Sequence, residues 1–290
     1  MKGKSLIFIA AITFAGITTA CSQISNGSYK ETDSGLKYKF IRQSDDSEKP
    51  KVTDIVTATM AYYINDSLLF DSKNMGKPIQ FPLSASAFKG DFFEGLAMMG
   101  SGDSASFLCR ADSIFLKVFR VKSLPGFVVP DAMMRFEIGL DTFMTQQAFE
   151  TQKYAQAQEE VVESSRKLEQ YIKDNGITVQ PQASGLYYIE TQKGTGKKPH
   201  EGERVKVHYK GTLLDGTKFD ASYDRNQPFD FVLGMGQVIK GWDEGIALMQ
   251  EGGKATLILP FNLAYGERAT GQIPAFSPLI FEVEFIEIIK

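Results

Sequence analysis

The chain is poor in cysteine and histidine: its 290 residues contain only Cys21, Cys109, His200 and His208. So few soft ligands cannot build the usual zinc clusters, and no metal centre or other cofactor is expected. There is no excess of positive charge. The formal net charge of −3 gives no overall basic field and excludes nucleic acid as the expected partner. A structural disulfide is not expected either. Cys109 lies in the apolar run Phe107-Leu108-Cys109, where a buried, inert thiol is the natural reading. Tryptophan occurs once, at Trp242. Otherwise the composition is that of ordinary globular protein, and the length suits two compact units better than one.

The N-terminal residues 1–20 read as a secretory signal. Lys2 and Lys4 are followed by an apolar stretch from Leu6 to Ile17 that is too short and too interrupted for a membrane span. Thr18-Thr19-Ala20-Cys21 resembles the lipobox of bacterial lipoproteins, which implies lipidation at Cys21; plain signal cleavage is the other reading. With Ser22-Gln23-Ile24-Ser25 neutral, a periplasm-facing, lipid-anchored position in the cell envelope is expected. Residues 21–34 form a polar tether.

The rest of the chain repeats itself. Ser34-Gly35-Leu36 returns 150 positions later as Ser184-Gly185-Leu186, and Glu94-Gly95 returns as Glu244-Gly245. Phe70-Asp71 matches Phe219-Asp220 at an offset of 149, and Phe136-Glu137 matches Phe281-Glu282 at 145. Matches in one order at nearly one offset indicate a duplicated domain. The drop at the last pair places a deletion between Phe115 and Phe136 in the first copy. In the second copy, Val205–Tyr209, Phe229–Leu233, Ala255–Leu259 and Leu279–Ile289 read as strands, with an Asp215-Gly216 turn. Only Trp242–Met249 has a helical pattern. One short helix on an antiparallel sheet is an α+β domain. The expected units are residues 35–141 and 184–290, joined by a long helix within 142–176 that ends at Asn175-Gly176. Tyr154, Val161 and Leu168 fall one heptad apart along it. That seam offers self-association as a homodimer, although it is too polar for a strong coiled coil.

Val207-His208-Tyr209-Lys210-Gly211, Phe219-Asp220-Ala221-Ser222, Pro228-Phe229-Asp230-Phe231, Gln237-Val238-Ile239-Lys240-Gly241-Trp242 and Ala264-Tyr265-Gly266 occur in order. On these motifs the second copy resembles the FKBP family of peptidyl-prolyl cis-trans isomerases. The resemblance implies a twisted antiparallel sheet around one short helix. It also implies Trp242 beneath a bound proline ring, with Tyr209, Phe229, Val238, Ile239 and Phe281 as walls. The Ile239 N–H and the Tyr265 hydroxyl would hold substrate carbonyls. Phe219 and Asp220 would lie near the rotating amide, Arg225 would orient Asp220, and Ile273-Pro274 would belong to an overhanging substrate loop. Partners would be proline-containing unfolded or exported polypeptides.

The first copy keeps less of this pattern. By offset, Trp242 corresponds to Phe92, Tyr265 to Phe115 and Tyr209 to Met60, while Asp71 stands for Asp220. Such losses remove hydrogen-bond donors while keeping bulk, and point to a degenerate copy that binds polypeptide or serves structure. Gly194-Thr195-Gly196-Lys197 is not a phosphate loop, because Lys198 stands where Ser or Thr is required and the spacing is wrong. The expected function is prolyl isomerisation assisting the folding of exported proteins; the alternative is a non-enzymatic chaperone or envelope assembly lipoprotein.

Overall fold

A computed structural model describes residues 23–24, 28–45 and 48–289. The expected signal 1–20 and Cys21 lie outside the described residues, as does part of the tether. The chain divides into two compact units after Thr151.

The first unit is an antiparallel sheet. Its strands are β1 (Gln23–Ile24), β2 (Lys30–Glu31), β3 (Lys37–Gln43), β4 (Ile55–Ile64), β5 (Ser67–Asp71), β6 (Ile79–Pro82), β7 (Ser104–Arg110) and β8 (Met133–Met144). They run in the order β1-β3-β7-β8-β4-β5, with β2 added to β3 and β6 to β4. A short helix, α1 (Phe92–Leu96), packs into the sheet through Phe92, Gly95 and Leu96. After β7 the chain makes a turn of helix, α2 (Ala111–Ser113), that widens into a π-helical turn at Ile114–Val118.

Helix α3 (Gln146–Asp174) follows. Thr145 starts it, its hydroxyl accepting the Ala148 N–H at 3.2 Å. Residues 142–144, expected in the helix, instead finish β8, where Met144 pairs with Ile55. Gly176 ends the helix at a left-handed φ of 61°. The Ile177 N–H bonds to the Ile172 carbonyl and the Gly176 N–H to the Lys173 carbonyl, a Schellman stop with Ile177 and Ile172 in one apolar cluster.

The second unit repeats the layout with β9 (Tyr187–Gln192), β10 (Arg204–Leu213), β11 (Lys218–Ala221), β12 (Phe229–Val232), α4 (Lys240–Ala247), β13 (Lys254–Leu259) and β14 (Leu279–Ile289). The order β11-β10-β14-β13-β9, with β12 on β10, reproduces β5-β4-β8-β7-β3 with β6 on β4. The period-two pattern of β14 sends Phe281, Val283 and Phe285 into the core and Glu282 and Glu284 outward. Ile258 and Ile280 face the opposite way and are covered by Leu168, Tyr171 and Ile172 of α3. Leu168 and Ile172 are therefore spent on their own sheet and are not free for an intermolecular seam.

Corresponding contacts recur in the two units. The Ser34 hydroxyl bonds to Glu94 and the Ser184 hydroxyl to Glu244, at 2.5 and 2.7 Å. Ser72 Oγ accepts the Met60 N–H, and Ser222 Oγ accepts the Tyr209 N–H, at 2.9 and 2.8 Å. Two expectations need correction. The first copy carries no deletion between Phe115 and Phe136; that segment is longer than Tyr265–Phe281, and the extra residues lie in the loop before β8. Asp71 is not the counterpart of Asp220 either. Asp71 pairs with Ala61 as Ala221 pairs with Lys210, whereas Phe70 opposes Tyr62 as Asp220 opposes Gly211. The β4–β5 hairpin is one residue shorter than β10–β11, so offset counting slipped by one position. Asp71 instead caps the following 3-10 turn by accepting the Lys73 N–H at 2.8 Å.

In each unit a glycine lets the helix meet the sheet. A Cβ on Gly95 would lie 2.2 Å from the Phe107 ring, and one on Gly245 would lie 2.6 Å from Leu257. Gly95→Ala is therefore expected to cost about 1–3 kcal/mol in the first unit. Urea unfolding followed by the near-ultraviolet signal of that unit's aromatic residues measures it, and an unchanged transition would contradict the close approach.

Candidate active site

In the second unit, Tyr209, Phe219, Asp220, Phe229, Val238, Ile239, Trp242, Tyr265 and Phe281 surround one cavity of about 440 Å³. Trp242, on the first turn of α4, is buried and edge-on to three rings. Centroid distances are 4.8 Å to Tyr209, 5.2 Å to Phe281 and 6.0 Å to Phe229. Its Nε1 is buried and, among the described residues, has no hydrogen-bond partner. Ile239 is the N-cap of α4; its carbonyl accepts the Trp242 N–H at 2.9 Å. The Ile239 N–H itself donates to no protein acceptor among the described residues.

One polar network edges the cavity. The Tyr209 hydroxyl donates to Asp220, Arg225 Nη1 donates to the other Asp220 oxygen, and Arg225 Nη2 donates to Tyr209 Oη at 2.9 Å. Burial opposes the charge on Asp220, but the hydrogen bonds from Arg225 and Tyr209 outweigh it and hold the carboxyl below its ordinary pKa. Burial, reinforced by the bond to Asp220, pushes the Tyr209 phenol up to about 12, so it stays a donor. Tyr265 is also raised, by burial and then by the Asp220 charge, and keeps its proton. The result is an apolar floor with two phenolic donors and one fixed carboxylate.

Two expected site residues fall outside the cavity wall. Arg225 touches it only through Asp220 and Tyr209. Ile273 is buried in the core cluster, its backbone paired with Thr270, and does not line the cavity. Burying its apolar side chain took precedence over presenting it to a ligand. Gly236 and Gln237, which sequence reasoning did not single out, do line it. Gly236 has φ of 64°, and Gln237 Oε1 accepts the Val232 N–H at 3.1 Å. A glycine two residues before Val238 was the available signal.

The equivalent place in the first unit is filled. Tyr62 occupies the position of Gly211, opposite Phe136 as Gly211 is opposite Phe281. Its ring stacks on Phe70 at 5.1 Å and tilts against Phe136 and Phe119 at 5.4 and 5.6 Å. Phe92, standing for Trp242, stacks on Phe136 at 4.5 Å. The polar network has gone entirely, with Met60, Phe70 and Met75 at the places of Tyr209, Asp220 and Arg225. Phe115 is buried edge-on to Phe119 and Phe127.

Comparison with known proteins matches residues 195–286 to the family described as FKBP-type peptidyl-prolyl cis-trans isomerase. The chain is 53% identical over 110 residues to FK506-binding protein 1A of Neurospora crassa, covering 92% of that protein and 37% of this one. The chain belongs to the FKBP-type peptidyl-prolyl cis-trans isomerase family. It is also 48% identical over 138 residues to the FKBP-type isomerase FkpA of Aeromonas hydrophila. That match covers 47% of this chain and spans about half (51%) of the relative. Among solved structures, FkpA from Escherichia coli is similar at 36% identity over 49% of this chain and 68% of that one, with a TM-score of 0.42. The matched residues 195–286 lie within the second unit.

Because Asp220 is held below its unfolded pKa, its contribution is present above the ordinary carboxylate range and is lost as pH falls through the folded value. Ligand binding at the cavity is expected to hold through the ordinary carboxylate range and to weaken only at pH values below it. A titration of Trp242 fluorescence tests this, and Asp220→Asn should remove the acid step.

Proposed function

We propose that the second unit catalyses cis-trans isomerisation of peptide bonds preceding proline and does so within the Trp242 cavity. The observation that carries this reading is the pairing of an aromatic floor with the Tyr209–Asp220–Arg225 network, present in this unit and replaced throughout in the other. Rotation about the bond crosses a barrier of about 18–20 kcal/mol because the planar amide is resonance-stabilised. Twisting removes that resonance and its charge separation. An apolar, water-poor cavity therefore favours the twisted form over the planar one. The proline ring lies on Trp242 between Tyr209, Phe229 and Phe281. The free Ile239 N–H and the protonated Tyr265 hydroxyl hold the flanking carbonyls, which fixes one side of the bond while the other turns. Phe219 and Asp220 border the rotating amide, and Arg225 positions Asp220. The FK506 named for the Neurospora crassa relative is the natural probe of this cavity.

We further propose that the chain assists the folding of exported proteins from the cell envelope, lipid-anchored at Cys21 and facing the periplasm. What supports this is the signal-like sequence before Cys21; no helix among the described residues is long and apolar enough to cross a membrane. The proposed arrangement is a degenerate domain 35–141, a linker helix 142–176 and the isomerase domain 184–290, with the boundary between β8 and α3 adjusted to Thr145. Clients are proline-containing unfolded polypeptides. Homodimer formation through α3 is left to the part of the seam not covered by its own sheet, around the exposed Tyr154. A purely chaperone role is the rival, and isomerase activity decides against it.

Trp242→Phe, which reproduces the residue of the first unit, should lower peptide isomerisation about tenfold, and Trp242→Ala by on the order of 100-fold. Tyr265→Phe should cost about tenfold, one hydrogen bond's worth. A coupled prolyl-isomerisation assay reads all three. Rates unchanged in these variants, Trp242→Ala above all, would overturn the assignment.

A further inference from the structure

The segment from the π-helical turn to the loop before β8 gathers several exposed apolar side chains of the first unit. Leu116, Phe127 and Val129 expose 44%, 53% and 53% of their surface, and Phe119 and Leu124 are exposed as well. Burial of large apolar groups is the rule for a globular domain, so a cluster left in water points to a surface that meets something. Phe119 and Phe127 meet through the buried Phe115 ring, to which both stand edge-on at 5.5 and 6.0 Å. It is also held in an unusual backbone: a π-helical turn at Ile114–Val118 and a left-handed φ of 55° at Arg120. Such features persist only where surrounding structure enforces them.

Charge singles out the partner. Between Leu116 and Val129 the charged residues are Lys117, Arg120 and Lys122, all exposed and all positive, in a chain whose net charge is −3. The acidic residues that bracket the segment are occupied, Asp112 and Asp131 both pairing with Arg110 at 2.7 and 3.5 Å. Lys117 lies over the Phe88 ring at 5.6 Å, which directs its stem along the apolar surface. Apolar and aromatic side chains that project among basic ones suit a bilayer interface bearing anionic headgroups. Hydrocarbon receives the rings, and phosphates receive the cations. The corresponding loop of the isomerase unit lacks this character. There Ile273 is buried, Tyr265 is the one large apolar residue exposed, and Glu267 offsets Arg268.

We propose that Leu116–Val129 is a membrane-docking loop that seats the first unit on an anionic lipid surface. It requires neither the Trp242 cavity nor acylation of Cys21. The chain from Ser22 onward, which keeps every element described above, is mixed with phosphatidylcholine vesicles with and without phosphatidylglycerol, and bound protein is measured by flotation. Binding is expected only with phosphatidylglycerol and should weaken as salt rises. The double variant Phe127→Asp, Val129→Asp and the triple variant Lys117→Gln, Arg120→Gln, Lys122→Gln should each bind at least about tenfold less. Both should keep the parent's prolyl-isomerase rate and urea transition, which shows that the fold is intact. Equal binding to neutral vesicles, no binding to either, or binding untouched by both variants would overturn the proposal. So would variants that bind vesicles normally but no longer suppress aggregation of a reduced, unfolded protein, since the loop would then be a polypeptide site.

Discussion

The close approach of a short helix to the middle of a twisted sheet sets the geometry of both units. It depends on a glycine at the contact, Gly95 against Phe107 and Gly245 against Leu257. A side chain there would lift the helix away from the strands. With the glycine in place, the residue three positions earlier is pressed against the ring on the central strand, Phe92 on Phe136 and Trp242 on Phe281. Whether a cavity then exists depends on what the next strand contributes. Gly211 leaves room and lets the Phe219 and Phe281 rings come within 5.6 Å of each other, edge-on. Tyr62 at the same place fills that room with its own ring.

Much of this was legible in the residues alone. The alternation of Phe281, Val283 and Phe285 with Glu282 and Glu284 defines β14, and the Ser-Gly-Leu and Glu-Gly repeats mark the duplication because the same serine–glutamate bond recurs in both units. Nine of the named site residues meet around one cavity because short, dense motifs fix their strand and turn positions. What escaped was set by register and three-dimensional packing. A hairpin one residue shorter moves Asp71 from a pocket edge to a cap, and no counting of offsets reveals which residue was lost. Ile273 reads as a substrate contact in sequence but satisfies the core. The role of Tyr62 needs the β4–β8 pairing to be known, since an isolated tyrosine in a strand looks like any other.

The two units show two solutions to the same packing problem. An aromatic cavity leaves an indole donor buried with no partner among the described residues, which costs stability. Filling the cavity with stacked rings removes that cost. The first unit has taken the second course, and its longer loop before β8 carries apolar side chains that face outward. In the second unit the sheet face turned away from the cavity is covered in part by α3, which packs over Ile258 and Ile280.

Tyr62 also makes a pocket of the second unit's kind difficult to build in the first. Tyr62→Gly alone would open a void among rings, and Met60→Tyr alone would bury a hydroxyl with neither carboxylate nor guanidinium to meet it. An aspartate in place of Phe70 would face aromatic carbon unless Met75 had already become arginine. Each step is unfavourable until the others are present, so these positions are locked together. No single substitution in the first unit therefore opens a working cavity there, and its chemistry can differ from that of the second unit only as a set.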